Sequence, residues 1–166
     1  MKYFVGVPIP KDYKNKIELL RARFAFFTTE PHITLIPPPA LPDEDDFIKD
    51  LIEVCKTIKP FTVKLRNIGQ FGNRVLYVGV QAPDLTILYE KINEKLNLEK
   101  EKRGYTPHLT IVKQRPGRKV DIEKAKEYAL NLNFYEYTLN SILVYHQPRE
   151  HSIYVPYMEI PLGDVH

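Results

Sequence analysis

A six-residue pattern occurs twice in this chain and constrains its fold more than any other feature. The first copy is residues 31–36, Pro-His-Ile-Thr-Leu-Ile, and the second is residues 107–112, Pro-His-Leu-Thr-Ile-Val. The two histidines are 108 − 32 = 76 residues apart. Alternation of polar and aliphatic side chains predicts a β-strand, in which alternate side chains share one face. We therefore expect each copy to anchor itself by its aliphatic face and to present an imidazole and a hydroxyl on the other.

The elements around the two motifs repeat in the same order, which predicts an internal duplication. Hydrophobic periodicity and turn residues predict β-α-β-α-β, then β-α-β-α-β and a closing strand. At the 76-residue offset, residues 61–63 (Phe-Thr-Val) fall on residues 137–139 (Tyr-Thr-Leu). We expect an α+β fold in which one domain, 1–166, is bilobal, with duplicated halves at about 1–72 and 73–166. Each half would have an antiparallel-rich sheet, and the motif strands would face a central cleft.

The boundaries of several elements follow from proline and aspartate positions. The second helix is expected to begin near Pro42, so that the acidic residues 44–46 lie in its first turn, where the helix dipole favours negative charge. Asp84 and Asp121 are expected to cap the third and fourth helices. Residues 134–145 are expected to form one strand.

Composition supports a packed intracellular protein. Apolar residues make up 43% and aromatic residues 11% of the 166, which favours a core and disfavours disorder. The single cysteine, Cys55, cannot form an internal disulfide and is expected to be buried in the second helix. No stretch approaches the ~20 apolar residues of a membrane span, and the first apolar run is too short for a signal peptide. We expect a cytoplasmic protein with no membrane association and no evident obligate protein partner.

Two imidazoles that face a shared cleft suit a reaction that needs one base and one acid. Imidazole titrates near pH ~6.5, so one ring can be neutral while the other is charged. The hydroxyls of Thr34 and Thr110 can donate to non-bridging phosphate oxygens, where charge accumulates in the transition state. Phosphodiester chemistry uses all four groups and requires no metal. A single His-x-Thr would be interpreted as a structural histidine, whereas two copies in matching contexts favour function.

Three alternatives to this interpretation differ in how well the residues support them. A metal site is disfavoured because His-x-Thr is not a recognised ligand spacing and no cysteine or carboxylate closely accompanies either histidine. Covalent catalysis is disfavoured because no base lies beside a serine or the cysteine in the sequence. A binding module that holds a nucleotide or an RNA end in the same cleft without turnover stays open, since it would keep the two threonines.

The paired motifs resemble the His-x-Thr signatures of the two-histidine (2H) phosphoesterase superfamily, which includes 2′-5′ RNA ligase and RNA 2′,3′-cyclic phosphodiesterase proteins. The resemblance extends to the opening strand, to Gly-Gln-Phe at 69–71 and to the closing hairpin. It implies attack by water, without metal or cofactor, on the 2′,3′-cyclic phosphate of an RNA end or a nucleotide, giving a 2′-phosphate. In reverse, the same groups would form a 2′-5′ linkage. By analogy, His32 would be the general acid, or proton donor, and His108 the general base, or proton acceptor.

The resemblance also implies how the substrate would be held. Thr34 and Thr110 would bind the phosphate. Lys113 stands where RNA-processing relatives often carry arginine, and it would hold phosphate as a point charge. Phe71 lies where relatives have an aromatic residue that would stack a base, with simple packing as the alternative. Residues 99–119 carry seven Lys or Arg against two acids, 7 − 2 = +5, which would steer a polyanion or simply form a solvated loop.

Overall fold

The computed structural model describes residues 1–99, 104–132 and 134–163. The strands in this part of the chain are β1 (Lys2–Val7), β2 (Ile33–Ile36), β3 (Phe61–Phe71), β4 (Val75–Gln81), β5 (His108–Lys113), β6 (Tyr135–Leu139), β7 (Ser141–Gln147) and β8 (Val155–Pro161). The α-helices are α1 (Lys11–Arg23), α2 (Phe47–Lys56), α3 (Pro83–Leu96) and α4 (Ile122–Ala129), with a 3₁₀ turn at Pro38–Ala40. Among the described residues, no helix is both long enough and apolar enough to cross a membrane.

The strands form an antiparallel sheet, which confirms the α+β class expected from the sequence. Their order is β6-β3-β4-β5-β2-β1-β7-β8. The two motif strands, β2 and β5, lie side by side at its centre and pair at Ile33 and Leu109. Counting β2 and β5, four strands lie on each side of this junction. Because the motif strands are neighbours, the two histidine motifs lie next to each other.

The two spatial halves of the sheet interleave the two halves of the sequence. Strand β3 pairs with β4 and β6, whereas β7 returns to pair with β1 and β8. Each side of the central junction therefore contains strands from before and after the middle of the chain. The internal duplication stays a prediction, but neither sequential half contains a complete side of the sheet.

Burial of the aliphatic faces of β2 and β5 explains why their polar faces have a defined direction. Ile33 and Leu35 of β2 and Leu109 and Ile111 of β5 are at most 1% exposed. Burying a side chain of this size contributes about 1.5–3 kcal/mol. A shift of either strand by one residue would expose this set and bury the histidines, so the core holds the register of the site.

Two helix starts differ from the expected ones. Helix α2 begins at Phe47, so the acidic run precedes it, and Asp45 instead accepts a hydrogen bond of 3.1 Å from the Tyr157 hydroxyl. In α3, Pro83 occupies the first helical position and Asp84 lies inside the first turn, so Asp84 does not cap the helix. The expected cap of α4 is confirmed, because Asp121 accepts a 3.1 Å bond from the backbone of Lys124.

The prediction of one strand over residues 134–145 is wrong. The segment divides at Asn140 into β6 and β7, which occupy the first and the seventh places in the sheet order. Strands that are joined by one residue lie close together, so the sheet must curl until β6 approaches β7. The buried positions change phase at the break, from Leu139 in β6 to Ile142 and Val144 in β7, with two polar residues between them. Apolar content alone does not show this shift, and it does not report which partner a strand pairs with.

Cys55 is buried in α2, as the sequence predicts. Burial raises the pKa of its thiol to about 12, so the thiolate is scarce at neutral pH. This cysteine is a packing residue of the core.

Candidate active site

The central junction of the sheet assembles the four polar side chains of the two motifs. Because Ile33 pairs with Leu109 in an antiparallel register, His32 faces Thr110 and Thr34 faces His108 across the two strands. All four line a cavity of ≈ 120 Å³. The tertiary structure therefore brings together the two histidines and two threonines that the sequence singled out.

Both imidazoles are oriented by the same local hydrogen bond. Nδ1 of His32 lies 2.7 Å from the carbonyl oxygen of Glu30, and Nδ1 of His108 lies 3.0 Å from that of Thr106. A carbonyl oxygen only accepts, so each Nδ1 carries a proton and donates it. Each Nε2 is then the nitrogen available for proton transfer, as a base when the ring is neutral and as an acid when it is charged.

The surroundings of His32 favour its neutral form. The ring packs against Phe4 and Tyr145, with centroids 4.9 and 5.3 Å away. The pKa of His32 falls from its ordinary value of 6.5 to about 4, because burial, with a smaller effect of the nearby cations Arg21 and Lys113, outweighs the hydrogen bond to Glu30 and the charge of the Glu30 carboxylate. In the free protein, His32 is therefore uncharged at neutral pH.

A buried arginine lines the same cavity, and sequence reasoning missed it. Arg21 is 6% exposed at the end of α1. Its Nε donates to the carbonyl of Ile111 (2.8 Å), Nη1 to that of Thr29 (2.9 Å) and Nη2 to that of Thr110 (2.8 Å). Burial lowers its pKa to about 10, so the guanidinium stays charged at neutral pH. The available signal was its place one turn after Ile17 on the buried stripe of the helix.

Lys113 gives the cavity a second positive charge. It ends β5 and lines the cavity. Partial desolvation lowers the pKa of Lys113, and repulsion from Arg115 and Arg21 adds to this effect. Cations that depress one another's pKa values in a cleft are stabilised when an anion binds between them. The cavity therefore combines two imidazoles with an electrostatic preference for an anion.

Phe71 lies beside the cavity but does not line it. It is 40% exposed at the end of β3, stacks on Tyr77 with centroids 4.3 Å apart, and meets the His108 ring edge-on at 5.1 Å. Tyr77, which the sequence did not single out, also contacts His108, at 5.6 Å. A side chain at Gly69 would place its Cβ 2.5 Å from the Tyr77 ring, so this glycine makes room for the aromatic pair.

The loop that follows α1 completes the cavity. Phe26 and Thr28 line it, and neither was predicted. Arg115 donates to the carbonyl of Phe27 (3.3 Å) and Arg118 to that of Ala25 (3.0 Å), so part of the predicted basic stretch ties the loop after β5 to the loop after α1. The other basic residues of that stretch lie partly outside the described residues: Lys100, Lys102 and Arg103.

The remaining histidines of the described chain and the possible metal ligands lie elsewhere. His146 contacts the sulfur of Met1 (3.0 Å) and His151 is exposed, and neither lines the cavity. In the part of the chain that the structure describes, no group of three or more His, Cys, Asp or Glu side chains is placed to hold a metal ion.

Two of the curated proteins to which the chain is similar carry the same name. The chain is 29% identical over 162 residues to the RNA 2′,3′-cyclic phosphodiesterase of Methanocaldococcus jannaschii, covering 87% of this chain and 90% of that protein. It is 30% identical over 139 residues to the RNA 2′,3′-cyclic phosphodiesterase of Bacillus subtilis, covering 69% of this chain and 72% of that protein.

Solved structures share the fold over nearly the whole chain. A Thermus thermophilus protein superposes with a TM-score of 0.67 at 16% identity and covers 99% of this chain and 100% of its own. Escherichia coli LigT, solved with 3′-AMP, superposes with a TM-score of 0.65 at 19% identity over 98% of both chains. The family model described as the 2′-5′ RNA ligase superfamily matches residues 15–150. As the paired motifs indicated, the chain belongs to the 2′-5′ RNA ligase superfamily of two-histidine phosphoesterases.

Proposed function

We propose that this protein hydrolyses the 2′,3′-cyclic phosphate of RNA ends or nucleotides to a 2′-phosphate, without a metal, by proton transfer through His32 and His108. Family membership makes the chain an enzyme of phosphodiester chemistry, and two curated relatives are named for this reaction. The observation that carries the proposal is the pair of imidazoles whose Nδ1 atoms are bound to carbonyl oxygens on the wall of one small cationic cavity.

The reaction needs one proton removed and one supplied. His108 Nε2 accepts a proton from water as the water oxygen forms a bond to phosphorus. The bond between phosphorus and O3′ breaks, and O3′ takes the proton that His32 Nε2 carries. The product has a 2′-phosphate and a 3′-hydroxyl, and in reverse a 5′-hydroxyl in place of water would form a 2′-5′ linkage.

Bound phosphate favours the protonated state that His32 lacks in the free protein, and the proton comes from solvent. A proton donor must be charged, yet burial holds the pKa of His32 at about 4 before substrate binds. An anionic phosphate beside the ring favours the charged form and raises this pKa. We assign Thr34 and Thr110 to the non-bridging oxygens, Lys113 to the phosphate charge and Phe71 to stacking the base.

The first experiment measures turnover of 2′,3′-cyclic nucleotides and of a short RNA with a cyclic end, with EDTA present. We expect a 2′-phosphate product, and a loss of activity of about 100-fold to 10,000-fold in His32→Ala and in His108→Ala. Loss of activity with EDTA would contradict the metal-free mechanism. Tight binding of the 2′-phosphate product without any turnover would favour the binding module instead.

A second substrate separates the two histidine roles. Replacing O3′ of the cyclic phosphate by sulfur gives a leaving group that needs no proton from an acid. If His32 is the proton donor, His32→Ala regains most of its rate on this substrate, whereas His108→Ala does not. Rescue of His108→Ala instead would reverse the assignment.

A further inference from the structure

A second concavity adjoins the catalytic cavity on the side of α1. It has a volume of ≈ 400 Å³ and shares Arg21, Phe26 and Thr28 with the catalytic cavity. Its other lining residues are Glu18, Ala22, Phe27, Glu30 and Ile153, and we call this site the α1 groove. Phe27 is 65% exposed and Ile153 is 55% exposed, although the core buries most other residues of their kind. Exposed apolar side chains that border a catalytic cavity are typical of a ligand surface.

Cations border the α1 groove on the side of the loop after β5. The Arg115 guanidinium lies 4.6 Å from the centroid of the Phe26 ring and donates to the carbonyl of Phe27. Arg118 donates to the carbonyl of Ala25 and is exposed. An apolar and aromatic floor beside two guanidinium groups matches the base and the phosphate of a nucleotide.

The carboxylates of the α1 groove indicate how a nucleotide would be oriented in it. The Glu30 carboxylate forms an ion pair with Lys14 Nζ (3.0 Å) and accepts a hydrogen bond from the Tyr145 hydroxyl (3.3 Å). Glu18 is exposed on α1. Because Lys14 compensates Glu30, the exposed carboxylate of Glu18 is the charge that disfavours a phosphate on the α1 side, and it does not disfavour an uncharged base. The phosphate is therefore favoured toward Arg115 and Arg118, with the base on the apolar floor.

We propose that the α1 groove binds the nucleotide next to the one that carries the cyclic phosphate, so that the protein prefers RNA ends to free cyclic mononucleotides. This inference rests on the proposed function. The Phe71 ring, which is proposed to stack the base, lies beside His108. The α1 groove lies beside Glu30, whose carbonyl oxygen orients His32. One nucleotide at the catalytic cavity uses one of these surfaces, and a second nucleotide uses the other.

The test compares 2′,3′-cyclic AMP with the dinucleotide ApA that ends in a 2′,3′-cyclic phosphate. For the wild type, we expect kcat/KM to be at least about tenfold higher for the dinucleotide, since stacking one base is worth a factor of ten or more. The double substitution Phe27→Ser with Ile153→Ser should remove this preference and leave kcat/KM for cyclic AMP unchanged. Leu130→Ser, at an equally exposed leucine outside the groove, is the matched control and should change neither value.

Direct binding supplies a readout that does not depend on turnover. The anisotropy of 5′-fluorescein ApA with a 2′-phosphate should show about tenfold weaker binding to the double variant than to the wild type. Arg118→Gln should reduce the dependence of this binding on salt by about one phosphate contact.

The outcomes separate this inference from the proposed function. Equal kcat/KM for the two substrates in the wild type would overturn the inference and leave the hydrolysis intact. The same would hold if the double variant lost activity on both substrates alike. Absence of hydrolysis of either substrate would contradict the proposed function, and unchanged dinucleotide binding in the double variant would overturn the groove assignment by itself.

Discussion

At the scale of single residues, Arg21 is the least expected part of the site. A buried guanidinium is costly unless its donors are satisfied, and here three of them bind main-chain carbonyls that carry no net charge. These carbonyls solvate the positive charge without forming an ion pair with it. A phosphate bound in the cavity that Arg21 lines would form this ion pair, so we expect Arg21 to stabilise a bound substrate electrostatically.

Substitution of Arg21 should therefore impair the reaction more than the fold. Arg21→Lys keeps the charge but loses the guanidinium fork, and we expect kcat/KM for a cyclic nucleotide to fall about tenfold. Arg21→Gln loses the charge as well and should cost about 100-fold, with weaker inhibition by inorganic phosphate. Arg23→Gln, an exposed arginine on the same helix, is the control and should behave like the wild type. Unchanged phosphate inhibition in a folded Arg21→Gln protein would contradict this role.

At the scale of elements, the aromatic surface beside the site depends on space that β3 leaves for a side chain of β4. Gly69 in β3 faces the Tyr77 ring of β4 so closely that a Cβ atom would lie 2.5 Å from it. The stack of Phe71 on Tyr77, and the contact of both rings with His108, need this gap. The glycine therefore acts on the site through the aromatic pair.

Gly69→Ala should displace the Tyr77 ring while β3 and β4 keep their pairing. We expect KM for cyclic nucleotides to rise about threefold to tenfold, because the surface proposed to stack the base is disturbed. Phe71→Leu should reproduce the effect, and Asn73→Ala in the exposed turn should not. Steady-state kinetics with circular dichroism measures both properties. A normal KM for Gly69→Ala and for Phe71→Leu would show that the base stacks elsewhere.

At the scale of the whole molecule, burial of His32 links folding to pH. Its pKa is about 4 in the folded protein, against an ordinary value of 6.5. Between these values the unfolded chain binds more protons than the folded one, so the free energy of unfolding rises with pH. The stability associated with a neutral His32 is fully present above about pH 6.5 and is lost as the pH falls through about 4.

Removing this histidine should flatten the acid side of the stability profile. We expect the free energy of unfolding of the wild type, from urea titrations at several pH values, to fall more steeply between pH 6.5 and 4 than that of His32→Gln. His151→Gln, at an exposed histidine, is the control and should keep the wild-type slope. The lowered pKa of Asp12 contributes in the same direction in all three proteins and cancels in the comparison. Parallel profiles for wild type and His32→Gln would contradict the burial effect.

Much of the site could be predicted from the local sequence pattern, because side chains alternate between the two faces of a strand whichever strand it pairs with. That period places His32 with Thr34 and His108 with Thr110 on polar faces opposite the aliphatic ones. The paired motifs also identified the family, which the comparisons confirm. The aspartate before α4 capped its helix as expected, since a cap depends on residues only three apart.

Contacts between distant residues decided the rest. The pairing of Ile33 with Leu109 sets His32 against Thr110, the fold of α1 onto β5 brings Arg21 into the cavity, and the curl of the sheet divides the strand at Asn140. Alternation and helical periodicity state which face of an element is apolar but not which element covers it. The sequence by itself determined the two imidazoles and two hydroxyls of the candidate site and the face on which each lies, and only the tertiary structure decided their partners, their charge environment and the groove beside them.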